Sequence, residues 1–106
     1  MRQKLRKEGF IMSMDKQIND FLNRYHINHK YTGYNFLMSI IRMMLMEEVP
    51  RGRVGEAYAL YGKNNDRQPK TIERSIRKTL DAAGVEMSNK QFITLAVDEV
   101  MYQGVD

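Results

Sequence analysis

Pro69-Lys70-Thr71-Ile72-Glu73-Arg74-Ser75-Ile76-Arg77-Lys78-Thr79-Leu80-Asp81-Ala82-Ala83-Gly84 is the stretch on which the fold turns. Ile72, Ile76, Leu80 and Ala83 recur at helical spacing, and at 100° per residue Lys70, Arg74, Arg77 and Asp81 lie opposite them. Arg67, Thr71 and Lys78 fall on the flank. Pro69 is tolerated only in a first helical turn, and Ala82-Ala83-Gly84 ends the pattern with small side chains. The spacing predicts a helix over about 69–83 with an aliphatic inner stripe and a basic outer face.

Helical periodicity extends to both sides of this segment. Lys63 to Gln68 is rich in turn formers, and before it Val54, Ala57, Tyr58 and Tyr61 make an i, i+3, i+4, i+7 face. Gly62 reads as the stop of that short helix, which begins near Arg53. From Thr32 to Glu48 the chain is apolar nearly all round, with Pro50 and Gly52 after it, as expected of a helix at the centre of a core. Its methionines read as flexible gap fillers. Ile18, Phe21, Leu22 and Tyr25 mark a first helix from about Asp15, as N-cap, to His26. Ser88 to Gln91 is a capping box opening a last helix whose apolar face is Phe92, Leu95, Ala96 and Val100. No alternating β-branched run supports a strand, and no internal repeat is visible. The expected fold is all-α, a compact bundle of about five helices containing a helix-turn-helix, over residues 15–106. Residues 1–14, with Arg2, Lys4, Leu5, Arg6 and Lys7, read as a flexible basic N-terminal arm. Met12 and Met14 are alternative starts.

The 106 residues suit one modest core, and the absence of cysteine excludes disulfides, thiolate metal sites and a cysteine nucleophile. The longest apolar stretch, Phe36 to Met46, is broken by Ser39 and Arg42 and is shorter than the ~20 residues a membrane span needs. Met1 to Phe10 lacks the apolar run and cleavage site of a signal peptide, so a cytoplasmic location is expected. The net charge of +4 conceals a polarised chain. Residues 51–80 carry eight basic and three acidic side chains, whereas residues 81–106 carry one and five. The two regions are suited to attract each other, or to offer a basic face to a polyanion.

Two short helices joined by a turn, the second apolar inside and basic outside, form the pattern of a helix-turn-helix, whose second helix enters the major groove. Lys70, Arg74 and Arg77 line about 10 Å of one face at 1.5 Å per residue. Arginine pairs with guanine O6 and N7, and lysine neutralises phosphate. The plainer reading is a solvated face with i, i+4 ion pairs worth a few tenths of a kcal/mol. His26 and His29 on one helical face lack a further ligand to complete a metal set, and no nucleophile, phosphate loop or carboxylate pair suggests catalysis. Neither an enzyme nor a cofactor is expected. The rival class is a helical protein-interaction module, an anti-regulator or adaptor on the same scaffold.

The run Thr71-Ile72-Glu73-Arg74-Ser75-Ile76-Arg77 resembles the Val-Glu-Arg-Ala-Ile-Arg core of the recognition helix in the C-terminal DNA-binding domain of the master sporulation response regulator of endospore-forming bacteria. Gly33-Tyr34 with Leu37 and Ile40-Ile41, preceded by His29, is similar to that family's Gly-Tyr-x-Tyr-Leu-x-x-Ala-Ile helix. Phe92-Ile93 with Asp98 is similar to its closing Phe-Ile-x-x-x-x-Asp helix. Together these cover about residues 15–102.

The resemblance implies sequence-specific binding of double-stranded DNA for transcription regulation in sporulation, usually as paired domains. The expected partners are therefore DNA, a second copy of the chain on DNA, and RNA polymerase. Glu73, Arg74, Arg77 and Lys78 match the reading helix. Arg74 and Arg77 are expected at base edges, and Glu73 is suited either to accept from cytosine or to orient an arginine. Lys70, Arg67 and Lys63 are cast as phosphate contacts, and Arg51 and Arg53 as anchors at the front of the preceding helix. Three departures stand out. Thr71 replaces a common arginine, the turn between the two helices reads as longer than the family's, and the link from Gly84 to Ser88 as shorter. No receiver domain or phosphoacceptor aspartate accompanies the domain in these residues.

Overall fold

A computed structural model describes the backbone from Arg2 to Gln103 and the side chains from Ser13 to Tyr102. Five helices follow in order: α1 (Arg2–Arg24), α2 (Tyr34–Leu45), α3 (Val54–Asn65), α4 (Pro69–Ala82) and α5 (Asn89–Gln103). The fold is all-α, with no strand among the described residues. None of these helices is long and apolar enough to cross a membrane.

The apolar α2 touches each of the other four helices, and Leu37, Ile40 and Ile41 are fully buried. Around it, α1 supplies Ile18, Phe21 and Leu22, α4 supplies Ile72, Ile76 and Leu80, and α5 supplies Phe92, Ile93 and Ala96, all at zero exposure. Phe21, Tyr25 and Phe92 join α1 to α5 with ring centroids 5.0–5.3 Å apart, a spacing typical of attractive aromatic pairs.

Asp15 does not begin a helix. With no proline before it, α1 runs continuously from Arg2, and Asp15 instead takes a two-pronged ion pair from Arg42 of α2 at 2.8 and 3.1 Å. The flexible arm expected over residues 1–14 concerns side chains that, before Ser13, lie outside the described residues.

Helix ends depart from the sequence reading for one recurring reason. α1, α2 and α3 are followed by His26, Glu47 and Asp66 in left-handed conformation, where glycine is the usual choice. The next residue then bonds back five positions: Ile27 to Leu22, Glu48 to Met43 and Arg67 to Gly62. α4 ends the same way, with Gly84 left-handed and Val85 bonded to Leu80.

Gly62 is consequently not a stop. It lies within α3, and a Cβ there would be 2.3 Å from the Arg67 carbonyl oxygen, so its bareness lets the chain fold back directly over the helix. The turn between α3 and α4 is Asp66-Arg67-Gln68, shorter than expected from the polar run starting at Lys63. Pro69 opens α4 as expected.

Gly33 lies hard against α4. Its N–H donates to Thr79 Oγ1 at 2.8 Å in the buried interior, and a Cβ would lie 2.5 Å from that oxygen and 2.8 Å from the Ser75 carbonyl oxygen. Both obstacles belong to α4, so relief requires moving a helix. Gly33→Ala should therefore cost about 1–3 kcal/mol by overpacking. Glu47→Gly, at an exposed left-handed position, should gain about 1 kcal/mol by removing the Cβ strain. Urea unfolding midpoints moving in opposite directions would bear this out; equal midpoints would not.

Candidate nucleic-acid interface

Burial of Ile72, Ile76 and Leu80 fixes the rotation of α4 about its axis, which turns Lys70 and Arg74 outward. Both are exposed, and among the described residues neither takes part in an ion pair. Arg74 forms the crest between two open grooves. The first, about 860 Å³, runs between α4 and the N-terminal ends of α3 and α5, and its walls include Arg53, Glu56, Glu73, Arg77 and Lys90. The second, about 580 Å³, separates α4 from the segment Lys30-Tyr31-Thr32, with Thr71, Ser75 and Lys78 on the α4 side.

Arg77 occupies the wall of the first groove but is not free. Its Nε and Nη2 donate to Asp81 at 3.1 and 2.8 Å, Nη1 donates to the Met87 carbonyl and Asn89 Oδ1, and Nη2 also donates to the Val85 carbonyl. These bonds use all five guanidinium N–H groups. In the free chain Arg77, expected at a base edge, acts as a staple that ties α4 to the 85–89 link. Asn89 completes it by donating to the Glu73 carbonyl at 3.0 Å. The capping box forms as read, with Ser88 N–H to Gln91 Oε1 at 3.0 Å and Gln91 N–H to Ser88 Oγ at 3.1 Å.

The other candidates divide. Thr71, Glu73 and Lys78 are exposed on the flanks of α4, and Arg67 is exposed in the turn. Lys63 is exposed near the end of α3. Arg53 reaches the first groove but pairs with Glu56 at 3.5 Å. Arg51 is not brought to either groove: it pairs with Asp98 at 3.6 Å and touches the Met101 sulfur, lining a separate pocket with Glu48 and Val49. His26 and His29 share no helix, since His26 stands past the end of α1, and no group of three metal-ligating side chains occurs among the described residues.

Sequence reasoning missed Lys30, Thr79, Asn89 and Lys90. Thr79 alone left a signal, as a small polar residue beside the buried stripe; the others meet α4 only through the tertiary fold. Tyr58, at the floor of the first groove, is 5% exposed, and its hydroxyl has no hydrogen-bond partner among the described residues. Burial pushes its pKa up from the ordinary 10.0 to about 12; the nearby Asn89 amide opposes the shift and the Glu73 carboxylate adds to it.

No family model, curated protein or solved structure matches this chain.

Two outcomes follow from this geometry. Arg77→Ala should destabilise the fold by about 1–3 kcal/mol, and Arg77→Lys should rescue little, because an ammonium cannot span the fork of acceptors. Arg74→Ala should stay within about 0.5 kcal/mol of wild type. Urea titration tests both, and equal effects at the two arginines would refute the division of labour. The second outcome concerns pH. The folded state keeps Tyr58 neutral where the unfolded chain ionises, so this contribution is complete below pH 10 and lost as pH rises toward 12. Tyr58→Phe should therefore lose less stability than wild type across that interval, as read from unfolding midpoints.

Proposed function

We propose that this chain is a sequence-specific double-stranded DNA-binding transcription regulator, with α4 in the major groove and Arg74 reading a base edge. The observation that carries this reading is the α4 crest: Lys70 and Arg74 are exposed and unpaired among the described residues, between two grooves that each bear further cations. An α-helix fits a major groove about 12 Å wide, and a guanidinium at its crest can meet guanine O6 and N7 together. Lys70, Lys78 and Arg67 are assigned to phosphates in this reading, with Thr71 on the same flank as Lys78. Glu73, whose carbonyl is held by Asn89, is suited to accept from a cytosine amino group. The resemblance of residues 33–41, 71–77 and 92–98 to the sporulation regulator's effector domain supports the same reading. It extends the proposal to sporulation control, to pairing of two copies on DNA and to contact with RNA polymerase.

The competing reading, a protein-interaction module, has one observation in its favour: Met46, Met101 and Tyr102 are exposed apolar side chains, Tyr102 at 84%. Ionic strength separates the two. Neutralising six phosphates gives a slope of log K against log salt of about −5. Arg74→Ala should cost about 1–3 kcal/mol on a preferred site and relax its sequence preference, whereas Lys70→Ala should weaken every duplex alike. Fluorescence anisotropy on matched duplexes measures both. Absence of duplex binding, or an Arg74→Ala variant indistinguishable from wild type, would overturn the proposal.

A further inference from the structure

The two grooves beside α4 differ in charge. The first carries Glu56 and Glu73, its Arg53 is paired, and its Arg77 is bonded to Asp81 and to the 85–89 link. The second contains no acidic side chain: its cations are Lys30, Arg74 and Lys78, accompanied by the hydroxyls of Thr32 and Thr71. None of these three cations takes part in an ion pair among the described residues. Three like charges around one cleft repel one another, and a polyanion in the cleft reverses the sign of that energy.

The wall opposite α4 is also tied by hydrogen bonds. Asn28 accepts the Lys30 N–H through its side chain at 2.9 Å and the Tyr31 N–H through its carbonyl at 3.1 Å. Gly33 N–H then fastens the segment to Thr79 of α4. The cleft is thus built before any ligand arrives, which lowers the ordering cost of binding.

We infer that the cleft between Lys30-Tyr31-Thr32 and α4 receives the sugar-phosphate backbone of one DNA strand, with Lys30 a phosphate contact from outside the α3–α4 pair. This rests on the DNA-binding reading and adds the docking direction: the α1–α2 connection grips the strand on the Lys78 side of the reading helix. Thr71 and Lys78 are separated by about 10 Å along α4, long enough for the cleft to follow a strand past more than one phosphate.

The test compares wild type, Lys30→Ala and Lys30→Glu on one preferred duplex and one scrambled duplex, from 50 to 200 mM salt. Lys30→Ala should weaken both duplexes by the same factor and make the salt slope shallower by about 0.9, so that its deficit relative to wild type shrinks about threefold across that range. Lys30→Glu should weaken both further. Replacing single phosphates by neutral methylphosphonates should reveal a position that penalises wild type but not Lys30→Ala. Unfolding midpoints should be unchanged, since Lys30 is exposed. A Lys30→Glu variant binding like wild type, or an effect confined to the preferred duplex, would overturn the inference and leave the DNA reading intact. Failure of wild type to bind either duplex would overturn both.

Discussion

The buried hydrogen bond from the Gly33 amide to Thr79 Oγ1 couples the start of α2, the helix at the centre of the core, to α4. It forms at a point where no Cβ fits, so the backbone before α2 lies directly against α4. Arg77 pins the other flank of α4 through Val85, Met87 and Asn89. Between these attachments the Ile72-Ile76-Leu80 stripe is fully buried. These attachments and the buried face set the rotation of α4 about its axis, which turns Arg74 outward. Preorganisation of this kind matters for reading bases, because a bidentate guanidinium contact tolerates little angular error.

The charge pattern gains its meaning from tertiary pairing. Three acids of the negative C-terminal region neutralise cations outside it: Asp81 pairs with Arg77 at 2.8 Å, Asp98 with Arg51 at 3.6 Å and Glu99 with Arg24 at 2.7 Å. None of them pairs with Lys70, Arg74 or Lys78, and Arg74 and Lys78 share one side of α4 with the 30–32 segment. A net charge of +4 understates the field that a polyanion meets there.

Local patterns in the sequence were enough to read five helices, the central position of α2, Pro69 as the opening of α4, and the Ser88–Gln91 capping box, because each depends on neighbours within a few residues. Helix ends were harder to read. Three left-handed caps use His26, Glu47 and Asp66, and glycine, the usual marker, stands instead at Gly62, where close approach of Arg67 requires it. Asp15 looked like a cap and proved to be half of an ion pair with Arg42, a partner 27 positions away.

The candidate site was legible to the same limited degree. Helical phase alone places Lys70, Arg74 and Arg77 on one face, and it cannot show that Arg77 is consumed by carbonyls beyond the end of its helix. Nor can it bring Lys30 beside Lys78, a juxtaposition created by the Gly33 contact. The central claim is that Arg74, free at the crest of a fixed helix, reads a base pair. Selection of bound sites from a random duplex library, run in parallel with wild type and Arg74→Ala, addresses it most directly. The account predicts an enriched motif for wild type and loss of preference at one base pair, with the rest retained, for the variant. Identical motifs from both proteins, or no enrichment with wild type, would contradict it.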